Sequence, residues 1–153
     1  MRIAVYPGSF DPITNGHLDI LNRALEIFDK VIVLVAINSQ KKSRFSTEER
    51  KAMIEEAVND PRVVVDAYDG LTVEYAKEHG ASHLIRGLRA VTDFEYEFQL
   101  FSANKFADSS IDSVFLMSKN DKSFINSSMI IELHNKGIDV SELVPSSVLK
   151  RLK

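Results

Sequence analysis

Residues 6–17 combine reactive side chains with turn-forming residues, and they read Tyr-Pro-Gly-Ser-Phe-Asp-Pro-Ile-Thr-Asn-Gly-His. This stretch lies between an apolar run, residues 3–5, and an amphipathic segment that starts at Leu18. The pattern predicts a strand, a tight loop and the first turn of a helix. Free N–H groups and the positive end of the helix dipole favour an anion at such a junction. We therefore predict a phosphate site here.

Two glycines and a histidine define the chemistry of this loop. Gly8 and Gly16 lack a Cβ, so the backbone could approach a ligand closely at both. His17, on the first helical turn, can direct an N–H donor at a phosphate oxygen. The segment from Thr14 to His17 resembles the (His/Thr)-x-Gly-His signature of the nucleotidyltransferase superfamily. For Gly-His taken alone, the alternative is a solvent-exposed histidine in a helix cap.

Length and composition indicate an ordinary globular domain. The chain has 153 residues, with 44% hydrophobic and 27% charged residues, which predicts one domain over residues 1–153. The longest apolar run, residues 31–37, is too short to span a membrane. The absence of cysteine excludes disulfides and thiolate chemistry. A strand that begins at Arg2 leaves no room for a signal peptide, so we expect a cytoplasmic protein.

The net charge of −3 provides no general attraction to nucleic acid or to acidic membranes. An anionic ligand must therefore be held by a local cluster of basic groups. The candidates all lie at the ends of predicted strands or in the loops that follow them, and they are Lys41, Lys42, Arg44, Arg86 and Arg89.

Apolar runs alternate with helical patterns along the whole chain. The predicted strands are residues 2–6, 31–37, 62–68, 83–86 and 113–117, and the predicted helices are 15–28, 46–58, 72–79, 93–107, 127–136 and a short one from Pro145. Such alternation predicts an α/β fold, a doubly wound, Rossmann-like, five-stranded parallel sheet. With the common order 3-2-1-4-5, the loops 7–17 and 87–89 meet at the topological switch point, where ligands bind.

Several familiar motifs are missing from the sequence. It contains no P-loop, no Gly-x-Gly-x-x-Gly after a strand and no Gly-x-Ser-x-Gly elbow, which disfavours P-loop hydrolysis, dinucleotide redox chemistry and serine hydrolysis. His79, His83 and His134 lack metal-ligand spacing. Glu95 and Glu97 cannot face each other on a helix, which disfavours a glycosidase-like carboxylate pair. No protein metal site is predicted.

What remains is a group of hydrogen-bond donors without an obvious protein nucleophile: Ser9, His17, Lys41, Arg86 and Arg89. This group suits direct transfer between two phosphorylated ligands, because a phosphate monoester is itself a nucleophile near neutral pH. The protein then has to align the two ligands and stabilise charge at the attacked phosphorus. Alternatively, Arg86 and Arg89 could form structural ion pairs with Asp93 or Glu97.

Four motifs resemble bacterial phosphopantetheine adenylyltransferases over essentially the whole chain. They are residues 6–17, Lys41-Lys42, Ile-Arg-Gly-Leu-Arg-Ala-Val-Thr-Asp-Phe-Glu-Tyr-Glu at 85–97 and Ser-Phe-Ile-Asn-Ser-Ser at 123–128. The first is shared with other nucleotidyltransferases, whereas the 85–97 block is more specific. The resemblance implies transfer of the adenylyl group of ATP to 4′-phosphopantetheine, with Mg²⁺ accompanying the nucleotide. It also implies a homohexamer, with dephospho-coenzyme A or coenzyme A as product or inhibitor.

The same resemblance implies roles for individual residues. Those implied to be catalytic are His17, Lys41 and Arg86. Those implied to bind ATP are Ser9, Phe10, His17, Gly87, Leu88, Arg89, Glu97, Lys122, Ser123, Phe124, Ile125, Asn126, Ser127 and Ser128. Those implied to bind the acceptor are Ser9, Lys41, Thr72 and Arg86.

Four positions depart from the family pattern. Ser9 stands where threonine is common and keeps the hydroxyl group. Asn126 replaces a serine, Lys122 an aromatic residue and Thr72 an apolar one. The departures at Asn126 and Lys122 concern nucleotide contacts, and that at Thr72 concerns only the pantetheine arm.

Two other functions remain open on the sequence. One is a related nucleotidyltransferase with another phosphorylated acceptor. The other is a nucleotide-binding or coenzyme A-binding module without turnover. The Phe94, Phe98 and Phe101 stripe is interpreted as core or subunit interface rather than a base-stacking surface.

Overall fold

Five strands alternate with six helices in the part of the chain that the structure, a computed structural model, describes: residues 1–38, 40, 42–89, 91–118 and 125–152. The strands are β1 (Ile3–Gly8), β2 (Lys30–Ala36), β3 (Val63–Tyr68), β4 (His83–Leu88) and β5 (Asp112–Met117). The helices are α1 (Asn15–Ala24), α2 (Thr47–Ala57), α3 (Thr72–Glu78), α4 (Val91–Ala107), α5 (Ser127–Asn135) and α6 (Ser146–Leu149).

The strands form one parallel sheet in the order β3-β2-β1-β4-β5, which confirms the predicted topology. The order reverses between β1 and β4, so the carboxyl ends of these strands border the switch-point crevice. The register pairs β1 with β2 from Ile3↔Lys30 to Gly8↔Val35. Between β1 and β4 it pairs only Ala4↔His83 and Val5↔Leu84.

Alternate residues of the central strands pack on opposite faces of the sheet. Val31, Val33 and Val35 belong to the larger core with α1, α2, α5 and α6. Ile32 and Leu34 belong to a smaller core with α3. This is the pattern of a strand covered on both faces, and it explains why β2 reads as an uninterrupted apolar run.

The first helix is shorter than its hydrophobic pattern predicted. The pattern reached Phe28, whereas α1 ends at Ala24, and the N–H of Ile27 bonds back only three residues, to the carbonyl of Ala24. Leu25 and Phe28 are nevertheless buried. The helical period therefore continues into a tighter turn that still covers the core.

The fourth strand is longer than predicted. The sequence pattern predicts a loop at residues 87 and 88, but the pairs Gly87↔Leu116 and Leu88↔Met117 extend the ladder with β5. Pairing with the neighbouring strand overrides the turn-forming tendency of glycine here.

Helix termini follow the local sequence signals. Ser46 and Glu49 form the predicted capping box at the start of α2. Gly80 and Gly137 have positive φ angles of 71° and 86° just after α3 and α5, as expected for glycines that end helices. Within the described residues, no helix combines the length and apolar character needed to cross a bilayer.

Candidate active site

The candidate site lies where β1 and β4 separate at their carboxyl ends. Beyond Val5 and Leu84 no further pair is formed between these two strands within the described residues. The Arg86 side chain spans the gap, since its Nη1 donates to the carbonyl oxygen of Pro7 at 3.1 Å. A cavity of about 530 Å³ opens here, with walls from β1, α1, β4, α4 and the start of α5.

His17 is held in one orientation by the start of α1. The backbone N–H of Thr14 donates to His17 Nδ1 at 2.9 Å, and the N–H of His17 donates to Thr14 Oγ1 at 3.3 Å. These reciprocal bonds are a capping box in which histidine takes the usual place of glutamate. Because Nδ1 accepts a hydrogen bond, the neutral ring carries its proton on Nε2.

His17 is neutral at physiological pH. Burial, followed by the positive charges of Arg89 and Arg86, lowers its pKa from 6.5 to about 4. The ring lines the cavity. Its Nε2–H is therefore a neutral donor available to a ligand oxygen, whereas Nδ1 is already occupied by the backbone.

Phe10 supports the histidine from the side. Its ring is 1% exposed and packs edge-on against His17 and Tyr6, with centroid separations of 5.0 and 5.3 Å. The backbone of Phe10 has a φ angle of 45°, a left-handed conformation that costs a non-glycine residue roughly 1–2 kcal/mol. The tight loop therefore buries an aromatic ring beneath the site at the expense of backbone strain.

Arg86 and Glu97 form a two-point ion pair. Arg86 Nε donates to Glu97 Oε2 and Nη2 donates to Oε1, both at 2.7 Å, and the Glu97 side chain is only 8% exposed. This is the structural pairing that the sequence left as the alternative for Arg86. Of the five guanidinium N–H bonds, these two and the one to Pro7 are engaged, which leaves two within the described part of the chain.

Two glycines of the site leave space for neighbouring side chains, and not only for a ligand. A Cβ on Gly8 would lie 3.0 Å from the Phe10 ring, and one on Gly87 would lie 3.2 Å from Ile20 Cγ1 on α1. The sequence interpretation of Gly8, which considered only the approach of a ligand, is therefore incomplete. The small residues also let Phe10 and Ile20 pack closely.

A second cavity of about 550 Å³ adjoins the first. Both are lined by Ser9, Ser127 and Ser128. The second continues along the ends of β2 and α2, past Lys42, Arg44 and Arg50. Two spaces that share three lining residues can hold two ligands, or two parts of one ligand, next to each other.

The start of α5 lies at the junction of the cavities. The Asn126 side chain caps this helix by accepting the N–H of Met129 at 2.8 Å. Ser127 Oγ donates to the carbonyl of Pro12 at 2.8 Å, which ties α5 to the β1–α1 loop. Asn126, which stands where the family pattern has serine, thus caps α5, and Ile125 lines the first cavity beside it.

The structure brings most of the described candidate residues together. Those lining the first cavity are Ser9, Phe10, His17, Arg86, Gly87, Arg89, Glu97, Ile125, Asn126, Ser127 and Ser128. Leu88 is buried, with its carbonyl accepting the Ser118 N–H at 2.8 Å. Thr72 begins α3 and lines neither of these cavities. Lys41, Lys122, Ser123 and Phe124 lie outside the described residues, so their predicted roles stay predictions.

Sequence reasoning missed Tyr6, Asp11 and Arg50. Tyr6 lines the first cavity, and burial raises its pKa well above the ordinary value. The Asp11 carboxylate accepts the backbone N–H groups of Arg44 and Phe45 at 2.6 and 2.8 Å. Asp11 lies within the 6–17 motif but was given no role of its own, and Arg50 lies in a predicted helix without a motif that would single it out.

The arrangement can stabilise negative charge but has no evident protein nucleophile among the described residues. A neutral histidine donor, two arginines and a helix N-terminus converge on one cavity. Such groups hold a nucleotide phosphate and lower the energy of charge that develops as it is attacked by another phosphate.

Comparison with a family model places the chain in a class. The model described as Cytidylyltransferase-like matches residues 5–133. This span runs from the first strand into α5 and includes both cavities. Fold, site and family model therefore agree on a nucleotidyltransferase.

Relatives define the family more closely. Phosphopantetheine adenylyltransferase of Anaeromyxobacter sp. (strain K) is 52% identical over 153 residues, covering 99% of this chain and 93% of the relative. The protein of the same name from Coprothermobacter proteolyticus is 50% identical, and the match covers 100% of this chain and 96% of the relative. That of Desulforudis audaxviator is 52% identical, covering 100% and 94%. The chain belongs to the phosphopantetheine adenylyltransferase family.

A solved structure supports the fold alone. The lipopolysaccharide core biosynthesis protein from Thermoplasma volcanium GSS1 superposes with a TM-score of 0.61 at 21% identity. The match covers 78% of this chain and 99% of that one. At this identity the shared feature is the doubly wound sheet, not the chemistry.

Proposed function

We propose that this protein transfers the adenylyl group of ATP to 4′-phosphopantetheine and releases pyrophosphate, a step of coenzyme A biosynthesis. A phosphate oxygen of the acceptor attacks the α-phosphorus of ATP. The bond from that phosphorus to the β-bridging oxygen breaks, pyrophosphate leaves, and dephospho-coenzyme A is the product. Family membership at 50–52% identity supports this choice of substrates.

The observation that carries the mechanism is the fixed, neutral His17. With Nδ1 bonded to the Thr14 N–H, the Nε2–H can donate to an α-phosphate oxygen. Because burial and the nearby arginines lower its pKa to about 4, the ring is a neutral donor near neutrality. Its contribution is to stabilise charge at the attacked phosphorus and to align the nucleotide.

Other residues of the site hold the two ligands. Arg86, oriented by Glu97 and Pro7, has N–H bonds left for the acceptor phosphate, and Lys41 and Thr72 are proposed to bind the same ligand. Arg89 and the start of α5 line the first cavity, where we propose that the nucleotide binds. Ser9, which lines both cavities, is proposed to contact both ligands.

Magnesium is proposed to enter with ATP. Among the described residues no group of three or more His, Asp or Glu side chains is placed to hold a metal ion. Nucleotide phosphates and water supply oxygen ligands to Mg²⁺ in many phosphoryl-transfer sites. Mg²⁺ would neutralise charge on the leaving pyrophosphate.

Three broader proposals follow from the family. We propose that the protein is a homohexamer, which the exposed aromatic residues Phe94, Tyr96 and Phe98 of α4 support. We propose that dephospho-coenzyme A or coenzyme A competes for the same site. A cytoplasmic location is proposed, in keeping with a chain that has no cysteine.

The deciding experiment is pyrophosphate release from the purified protein with ATP and Mg²⁺, with and without 4′-phosphopantetheine. We expect release that depends on the acceptor, with dephospho-coenzyme A formed in equal amount. Release only with a different phosphorylated acceptor would identify another nucleotidyltransferase. ATP binding without release from any acceptor would indicate a binding module and overturn the proposal.

A further inference from the structure

Arg50 is a buried cation that the adenylyl-transfer mechanism above does not use. It lies on α2, is only 5% exposed, and lines the second cavity. Among the described residues it forms no salt bridge, and its Nε has no hydrogen-bond partner. A buried charge without a carboxylate costs stability, so packing alone does not account for an arginine here.

The contacts of Arg50 join three elements. Nη1 donates to the carbonyl oxygen of Ser9 at 2.8 Å and lies 3.5 Å from that of Ala36, and Nη2 lies 3.4 Å from Thr47 Oγ1. The short bond is therefore the one to Ser9, on the loop after β1. The longer ones reach the end of β2 and the first residue of α2.

Asp11 makes the opposite connection. Its carboxylate, on the loop after β1, accepts the N–H groups of Arg44 and Phe45, which precede α2. Arg50, which follows that segment, donates back to the loop after β1. The two loops are thus fastened in both directions by charge-assisted hydrogen bonds, which are stronger than neutral ones.

We propose that Arg50 is a positioning residue that sets the place of Ser9 where the two cavities meet. Asp11 is the second half of the same clamp. Through it the loop that carries Ser9 and the loop between β2 and α2 keep one relative position, so that both ligands are aligned for transfer. The expected kinetic effect rests on the proposed function, whereas the clamp itself rests on the geometry alone.

The first test is Arg50→Met, with Arg62→Met as a control for the loss of an arginine elsewhere. Arg62 also donates to a distant backbone carbonyl, that of Leu25 at 3.1 Å, but it is half exposed, pairs with Asp60 and lies away from both cavities. We expect Arg50→Met to lower kcat/KM about tenfold to hundredfold, the size of a lost hydrogen bond to a charged group. Its melting temperature should change little, because the loss of the hydrogen bond to Ser9 is offset by the removal of a buried charge. Unchanged kcat/KM would overturn the proposal.

A double-mutant cycle with Ser9→Ala separates positioning from general damage. If Arg50 acts through Ser9, adding Arg50→Met to Ser9→Ala should lower kcat/KM much less than it does in the wild type. Arg62→Met should have the same small effect in both backgrounds. Equal fold-losses from Arg50→Met in the two backgrounds would mean that Arg50 acts independently of Ser9. If the Met variant does not fold, Arg50→Lys, which keeps the charge but not the forked geometry, replaces it in the cycle.

A readout without turnover keeps the inference separate from the proposed function. Amide hydrogen exchange in segments 8–13 and 43–46 should be faster in Arg50→Met than in wild type and unchanged in Arg62→Met. Faster exchange supports the clamp even if the wild type releases no pyrophosphate, in which case only the proposed function fails. Exchange that is unaltered in both segments would overturn the clamp even in an active enzyme.

Discussion

His17 shows how one side chain serves both local structure and the site. Its Nδ1 accepts a hydrogen bond from the start of α1, and its Nε2–H is left for the cavity. Both uses require the neutral ring. Acid should therefore affect folding through this residue before it affects the carboxylates.

The first prediction concerns acid stability. The folded pKa of His17, about 4, lies below the unfolded value of 6.5, so between these pH values the unfolded chain binds the proton more readily. The contribution of His17 to the free energy of unfolding is complete above pH 6.5 and is lost as pH falls towards 4, by at most about 3 kcal/mol. Urea denaturation at pH 7 and pH 4.5 measures it. His17→Asn should lose less stability on acidification, and an identical loss in both proteins would contradict the assignment.

A second prediction concerns the Arg86–Glu97 pair. Glu97→Gln keeps the side-chain shape but leaves a largely buried guanidinium without its anion, which should cost about 1–3 kcal/mol of unfolding free energy. The looser Arg86 should also raise the KM for the acceptor more than that for ATP. Thermal unfolding and initial rates measure both effects. Glu95→Gln, at an exposed position of the same helix, is the control. If the two variants have the same stability and the same KM values, the Arg86–Glu97 pair has no part in acceptor binding.

At the scale of elements, the starts of α1 and α2 offer a matched pair. Each begins with a capping box, Thr14 with His17 and Ser46 with Glu49. Thr14→Ala and Ser46→Ala should each lower the free energy of unfolding by about 1 kcal/mol. Only Thr14→Ala should also lower turnover several-fold, because the first turn of α1 holds His17. Equal turnover in the two variants would show that loss of the Thr14 cap does not change the position of His17.

At the scale of the whole molecule, α4 presents an apolar face to solvent. Phe94 and Phe98 are 48% and 54% exposed, whereas Phe101 is half-buried and packs on Phe115 of β5, with 6.3 Å between the ring centroids. The proposed contact between copies would cover this face. Phe98→Lys should therefore give a smaller particle than the hexamer expected for the wild type, as measured by light scattering after size-exclusion chromatography. Ile27→Lys, at another exposed apolar residue, should leave the mass unchanged. If the Phe98→Lys variant still forms a hexamer, the α4 face is not the contact between copies.

Much of the architecture was predictable because it depends on neighbours in sequence. Capping boxes span three residues, strand alternation spans two, and the glycines after α3 and α5 act within one turn. The order of the elements then restricted the sheet to few topologies, which placed the segments 7–17 and 87–89 at one crevice. Element ends were less predictable. Leu88 lies in a strand because β5 continues beside it.

Local patterns in the sequence are enough to predict the fold class and to place His17 in the first turn of a helix, since periodicity, turn residues and a short motif involve only neighbouring residues. The strand order was taken from the commonest topology of such folds, and the structure has that order. The pairing of Arg86 with Glu97, which leaves Arg86 with only part of its donors free, is visible only in the folded structure. Only it joined Asp11 to Arg44 and Arg50 to Ser9, residues 33 and 41 positions apart. Such bonds depend on how closely two loops approach after the sheet has formed. A distance of that kind arises from packing and is not encoded in the spacing of residues along the chain.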